Sequence, residues 1–153
     1  MHYWEEIESG QIYTTGTVTI DGADIVEFAR EFDPQPYHLD PEIAAQSIFG
    51  GHCASGWQVC ALMMRLLADT LTEQSIPAVG SPGVSSLRWL KPVFAGDTLN
   101  ATINVTDCRE SDNHPDYGLI DCAISVSNQH GENVIVLETD IMIARRQTSP
   151  QGS

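Results

Sequence analysis

Residues 55–71 read SGWQVCALMMRLLADTL and predict a helix that is apolar on nearly every side. Arg65 and Asp69 are its only charged residues. A helix at a protein surface shows one apolar stripe, whereas a helix that is apolar on most sides is buried on most sides. In a chain of 153 residues, the element that can surround such a helix is a curved β-sheet.

Strand and short helix patterns precede this segment. Residues 12–20 are rich in Thr and Val and predict a first strand, which Gly16 interrupts. Asp21 is a suitable N-cap for an amphipathic helix over residues 23–32, and Pro34 ends that helix. The pair Asp40–Pro41 predicts a second helix start, with the helix running to about residue 46.

Four strands are predicted after the long helix, over residues 83–93, 99–105, 120–126 and 134–143. Apolar and polar residues alternate in the middle two, which indicates one packed face and one solvated face. Residues 129–132 predict the turn between the last two strands. The predicted class is therefore α+β, with an antiparallel sheet wrapped around one long helix.

The composition predicts one domain over residues 1–146 and a disordered tail over residues 147–153. The net charge of −14 disfavours binding to nucleic acids and to anionic membranes. The N-terminus has neither a basic start nor an apolar run, so we expect no signal peptide and a cytoplasmic location.

The four cysteines form no CxxC pair, and we expect reduced thiols that mostly face the core. His52 and Cys53 are adjacent near the start of the long helix, but no other residue at ligand spacing supports a metal site there. We therefore expect no metal.

Asp33 and His38 are the strongest candidates for catalysis. Pro34 and Pro36 lie between them. We interpret these prolines as excluding a helix between Asp33 and His38 and as restricting the residue before each proline to extended geometry. A stiff loop of this kind could aim a carboxylate and an imidazole at one water, as hydration of an unsaturated thioester requires. The same spacing also fits a plain turn in which Asp33 caps locally and His38 lies at the surface.

The start of the long helix offers a stabiliser for a developing oxyanion. The first N–H groups of a helix have no partners and lie at its positive end, and Gly56 lets a carbonyl approach the backbone. The alternative is that Ser55 is an ordinary N-cap and that Gly56 packs against a neighbouring strand.

Three stretches of this sequence, two of which contain the candidate residues above, resemble the MaoC-like dehydratase family, which includes the R-specific enoyl-CoA hydratases. The family pattern is Asp-x-Asn-Pro-x-His, and residues 33–38 read DPQPYH. Residues 49–57, FGGHCASGW, look like the approach to the family's central helix, and residues 86–99, SLRWLKPVFAGDTL, look like its strand pair. Gln35 departs from the usual asparagine, which we expect to alter local hydrogen bonding without removing activity.

The resemblance implies a hot-dog fold and a homodimer, or a higher homo-oligomer, whose sheets join edge to edge. It implies that Asp33 and His38 are catalytic and that the Gly56 N–H binds the thioester carbonyl. It implies no cofactor, because coenzyme A or an acyl carrier enters as part of the substrate.

Four further residues are candidates for substrate binding: Ser55, Trp57, Arg88 and Lys91. Arg88 and Lys91 could meet phosphates of the substrate's carrier, or at least one of them could be a solvated residue at a sheet edge. Trp57 could line an acyl tunnel or belong to the core.

The predicted function is thus an acyl-thioester hydratase/dehydratase. The alternatives are a hot-dog thioesterase, in which water attacks the carbonyl carbon, and a non-catalytic module that binds acyl thioesters.

Overall fold

Residues 1–146 are described by a computed structural model of the protein, and the disorder expected for residues 147–153 concerns a segment outside that range. The elements in chain order are a 3-10 turn (Trp4–Glu6), β1 (Ile12–Thr19), α1 (Gly22–Phe32), α2 (Pro36–Leu39), α3 (Pro41–Ala45), α4 (Gly56–Glu73), β2 (Ala78–Trp89), β3 (Thr98–Glu110), β4 (Tyr117–Ser127) and β5 (Asn133–Ala144). The α+β class predicted from the sequence is confirmed.

All five strands belong to one antiparallel sheet in the order β1-β3-β4-β5-β2. The predicted alternation holds, since every second residue of β3 and β4 is buried through their apolar stretches. The predicted turn before β5 is also present, where Asn128 N–H donates to the Glu132 carbonyl at 3.0 Å. One face of the sheet is therefore apolar and available to a helix.

Helix α4 packs on that face. Val59, Met63, Leu66 and Leu67 are buried in the same hydrophobic cluster as the inward residues of the strands. The prediction that this helix is buried on most sides is wrong, because Trp57 is 61% exposed and Met64 is 53% exposed. The sheet covers one side of α4, and the apolar outer side of the helix faces away from the sheet.

Strand β2 lies at a sheet edge and begins and ends earlier than predicted. It starts at Ala78 rather than at residue 83, because the register shifts near Gly80 and Gly83 let a glycine-rich segment stay in the ladder. It ends at Trp89 because Leu90 and Lys91 both donate to the Val134 carbonyl and leave the regular ladder. The strand is exposed along almost its whole length.

The short helices begin where the sequence predicted. Asp21 accepts a hydrogen bond from Asp24 N–H at 2.8 Å, and Asp40 accepts one from Glu42 N–H at 2.9 Å. One expectation is wrong: the segment between Asp33 and His38 is not free of helix. Pro36 opens the one-turn helix α2, because proline at the first helical position loses no hydrogen bond.

All four cysteines are free, with Cys53 and Cys122 buried and the other two half-buried. Among residues 1–146, no helix combines the length and the apolar character needed to cross a membrane.

Candidate active site

A pocket of about 390 Å³ opens between α2, the start of α4 and the end of β2. This volume is within the range of roughly 300–1,000 Å³ that is usual for small-molecule sites. Asp33 and His38 line one side of the pocket, and Gly56 and Trp57 line another. The structure therefore brings together the three residues that the sequence nominated for catalysis.

Asp33 reaches this pocket from the end of α1. It is the C-cap of that helix, its N–H donates to the Ala29 carbonyl at 2.9 Å, and its backbone has left the helical region. Pro34 then forces the chain to turn, and Gln35 N–H closes the turn on the Asp33 carbonyl at 2.7 Å. The Asp33 side chain remains 25% exposed, so water can reach its carboxylate.

His38 lies on α2, three residues after the turn, and its side chain is only 6% exposed. Its Nε2 lies 3.3 Å from Oδ2 of Asp33. Its Nδ1 lies 2.7 Å from the Cys53 carbonyl oxygen, which can only accept, so Nδ1 carries a hydrogen and donates. In neutral His38, Nε2 is then a bare acceptor that faces the Asp33 carboxylate. The two atoms form a hydrogen bond only when a proton lies between them, so this geometry suits a pair that holds one exchangeable proton.

The segment that holds the imidazole is itself fixed. Residues 52–54 form a two-bond bridge with residues 93–95, in which Ala54 N–H donates to the Val93 carbonyl at 2.8 Å and Ala95 N–H donates to the His52 carbonyl at 3.0 Å. This bridge directs the Cys53 carbonyl towards His38. Burial raises the pKa of the Cys53 thiol, so the sulfur stays protonated at neutral pH and is a poor nucleophile although it lies 3.8 Å from Nδ1 of His38.

The first turn of α4 provides an unused hydrogen-bond donor. Ser55 is the N-cap, is fully buried, and its hydroxyl accepts from Trp57 N–H at 3.3 Å. None of the hydrogen bonds formed within residues 1–146 uses the Gly56 N–H. This N–H lies at the positive end of a helix of 18 residues, where a carbonyl oxygen that gains negative charge is stabilised.

Trp89 is a pocket residue that the sequence did not nominate. A Cβ placed on Gly56 would lie 2.4 Å from Nε1 of Trp89, so the indole packs directly on the first turn of α4. Trp57 meets the same indole edge to face, with ring centroids 5.0 Å apart. Gly56 therefore packs against a neighbouring strand, as one interpretation predicted, and it also lines the pocket.

Tyr37 and Phe49 were also missed. They line the pocket, with the Tyr37 ring 4.4 Å from the His38 ring and 5.0 Å from the Phe49 ring, measured between centroids. Both lie within the two stretches quoted above, residues 33–38 and 49–57, and their aromatic character could have suggested an apolar wall. The pocket thus combines one polar pair with several aromatic side chains, as small-molecule sites commonly do.

The two nominated cations are placed differently. Lys91 lines the pocket, and its ammonium is bonded to the Glu132 carboxylate. Arg88 does not line the pocket, because side chains alternate along a strand and its neighbour Trp89 faces α4. Leu87 packs against the core on the Trp89 side, so the apolar alternation of residues 87 and 89 already indicated the outward direction of Arg88.

No group of three or more His, Cys, Asp or Glu side chains within residues 1–146 is arranged to hold a metal ion.

Comparison with known proteins gives a consistent picture. A family profile described as MaoC like domain matches residues 6–121. The chain is 30% identical over 142 residues to the uncharacterized protein YdeM of Bacillus subtilis. This alignment covers 92% of this chain and 98% of that protein. It is 32% identical over 108 residues to an (R)-specific enoyl-CoA hydratase of Rhodospirillum rubrum, covering 69% of this chain and 71% of that enzyme.

Some relatives are much longer. The chain is 33% identical over 102 residues to the protein MaoC of Klebsiella aerogenes, which is 66% of this chain and 30% of that protein. Among solved structures, a MaoC-like dehydratase from Rhodospirillum rubrum superimposes with a TM-score of 0.86 and 34% identity, covering 95% of this chain and 99% of the other.

Proposed function

Because the chain belongs to the MaoC-like domain family, we propose that it is a hydro-lyase that reversibly adds water to an enoyl thioester and gives a 3-hydroxyacyl thioester. One observation carries the proposal. The Asp33–His38 pair, joined at 3.3 Å, shares a pocket with the unused N–H of Gly56. A proton-transfer pair and an oxyanion donor are the two functions that this reaction needs.

The pair can move both protons of the reaction. In hydration, the water oxygen bonds to C3 while the C2–C3 π electrons move towards C2 and the carbonyl. One proton of the water passes to the Asp33–His38 pair, and the other stays on the new hydroxyl. The proton that the pair already held passes to C2, so the pair ends with one proton, as it began. Dehydration is the same sequence in reverse.

The Gly56 N–H would act on the thioester carbonyl, which is conjugated to the C2–C3 double bond. Electron density moves onto the thioester oxygen as C3 is attacked, and an N–H at a helix N-terminus stabilises that charge. Ser55 supports this arrangement indirectly, because its hydroxyl satisfies Trp57 N–H and leaves Gly56 N–H free.

The substrate is an acyl thioester of coenzyme A or of an acyl carrier in this proposal, and no cofactor is required. Trp57 and Lys91 line the pocket and are the contacts we propose for it, with Lys91 exchanging its bond to Glu132 for a phosphate of the carrier. Arg88 lies on the opposite face of β2 and would contact only a part of the carrier that wraps over this edge. We further propose a cytoplasmic location, in keeping with intracellular thioester pools.

We also propose that the protein forms a homodimer through β2. The strand is a sheet edge with unpaired backbone groups, and large apolar side chains are exposed along it and on the adjoining side of α4. These side chains are Trp57, Met64, Val79, Val84, Trp89 and Leu90. A second copy with its own β2 alongside would cover them, and light scattering should give twice the 16.7 kDa of one chain. A monomer at all concentrations would contradict this arrangement.

The reaction is tested with crotonyl-CoA and a set of longer and branched enoyl thioesters. Loss of the conjugated enoyl absorbance without release of free thiol is the expected result. Thiol release in step with the loss of absorbance would instead favour the thioesterase. Saturable binding of these ligands with turnover of none would favour the non-catalytic binding module.

A further inference from the structure

We propose that His52 is a positioning residue for His38, the imidazole of the catalytic pair. This inference rests on the proposed function, in which the His38–Asp33 pair transfers the protons of the reaction. His52 does not line the active-site pocket, so it acts through His38 and not on the substrate.

A short hydrogen bond connects the two residues. Nε2 of His52 lies 2.6 Å from the main-chain carbonyl oxygen of His38. A carbonyl oxygen only accepts, so Nε2–H of His52 is the donor. Helix α2 has a single turn, and its last carbonyls have no partner within the helix. The imidazole of His52 therefore satisfies and fixes a carbonyl that the helix leaves free.

A second hydrogen bond runs in the opposite direction between the same two segments. Nδ1–H of His38 donates to the Cys53 carbonyl at 2.7 Å. His38 is thus held by its ring and by its backbone, and both contacts come from two consecutive residues. The backbone contact adds to the hydrogen bonds within the turn, such as Asp40 N–H to the Pro36 carbonyl, and limits tilts that would change the direction of Nε2 towards Asp33.

His52 is itself held in place by neighbouring elements. Its own carbonyl accepts from Ala95 N–H at 3.0 Å, which ties it to the bridge described above. Its ring packs on Gly22, where a Cβ would lie 3.5 Å from Nδ1 of His52. Gly22 is the first residue of α1, and Asp33 is the C-cap at the opposite end of that helix. The ring of His52 is therefore enclosed between the start of α1 and the turn that carries His38, and it bonds to that turn.

Two substitutions separate the hydrogen bond from the packing. His52→Gln keeps an N–H donor at nearly the same reach, whereas His52→Met has a similar length and no donor. We expect His52→Met to lower kcat about tenfold relative to His52→Gln, since small misplacements of a catalytic group cost up to about 10²-fold. KM should stay within about twofold, because substrate contacts are unchanged. The two variants should unfold at the same temperature. Equal kcat values for the two variants would overturn the inference.

A readout that does not need turnover separates this inference from the proposed function. The ring of His38 is followed by ¹⁵N-resolved NMR, with its signals assigned by their loss in His38→Gln. We expect the Nδ1–H of His38 to be protected from solvent exchange in the wild type and in His52→Gln, and to exchange about tenfold faster in His52→Met. Identical exchange in all three would refute the positioning role. A wild type that turns over no thioester would refute the proposed function, and the NMR comparison would still decide the role of His52.

Discussion

The contact between Gly56 and Trp89 predicts how much the free energy of unfolding falls when Gly56 is replaced by alanine. In Gly56→Ala, the new Cβ would lie 2.4, 2.7 and 2.9 Å from three atoms of the indole, and ordinary contact begins at 3.4 Å. The indole must therefore retreat by about 1 Å, and overpacking of this kind costs about 1–3 kcal/mol. Alanine recovers at most about 1 kcal/mol relative to glycine in a helix. Because Gly56 is the first residue of α4 and not an interior one, only part of this recovery applies. We expect the free energy of unfolding to fall by about 1–2 kcal/mol, which lowers the melting temperature by roughly 2–8 °C.

A double-mutant cycle measured by urea unfolding shows whether Trp89 is the cause. In a Trp89→Ala background, Gly56→Ala should cost at least about 1 kcal/mol less than in the wild type, since residues in contact are not additive. Gly16→Ala in β1 is the matched control, because a Cβ on that glycine meets nothing within 4 Å and β1 lies at the sheet edge opposite to the proposed dimer contact. If the cost of Gly56→Ala were the same in both backgrounds, the packing argument would be refuted.

Two further substitutions test other parts of the structure. Gln35 is the N-cap of α2 and makes no side-chain capping bond, so Gln35→Asn should raise the free energy of unfolding by up to about 1 kcal/mol; an unchanged urea midpoint would contradict this. Burial raises the pKa of Cys122 to about 12 from an ordinary 9.0. Above pH 9 the unfolded chain loses this proton and the folded chain keeps it, so stability should fall by up to about 1.4 kcal/mol per pH unit between pH 9 and 12. Unfolding in Cys122→Ala should lack this part of the pH dependence, and an identical slope in the two proteins would count against it.

Much of the fold follows from local patterns. Strands β3 and β4 bury every second residue, which strict alternation predicts directly, and α4 is apolar enough that it had to be covered. The sequence could not say what covers each side of α4. The exposed Met64 shows that apolar character on a helix does not reveal which of its sides the sheet of the same chain covers.

The candidate site was predicted where proline restricts the chain and missed where the contact is distant in sequence. Asp33 and His38 stood out because two prolines separate them, although the interpretation that prolines exclude a helix overlooked Pro36 at a first helical position. The contact of Trp89 with Gly56 joins two elements through tertiary packing, and no local pattern reports it. The bond from His52 to the His38 carbonyl depends in the same way on how the loop folds back.

The central claim is tested most directly by Asp33→Asn, which keeps the shape of the side chain and removes its ability to accept a proton. Turnover is measured on the enoyl thioester that the wild type hydrates fastest, with Asp69→Asn, a change at an exposed carboxylate on α4, as the control. We predict that kcat falls by about 10³-fold in Asp33→Asn, with an unchanged melting temperature, while the control keeps full activity. Turnover of Asp33→Asn within about threefold of the wild type would contradict the account, because proton transfer would then not pass through this carboxylate.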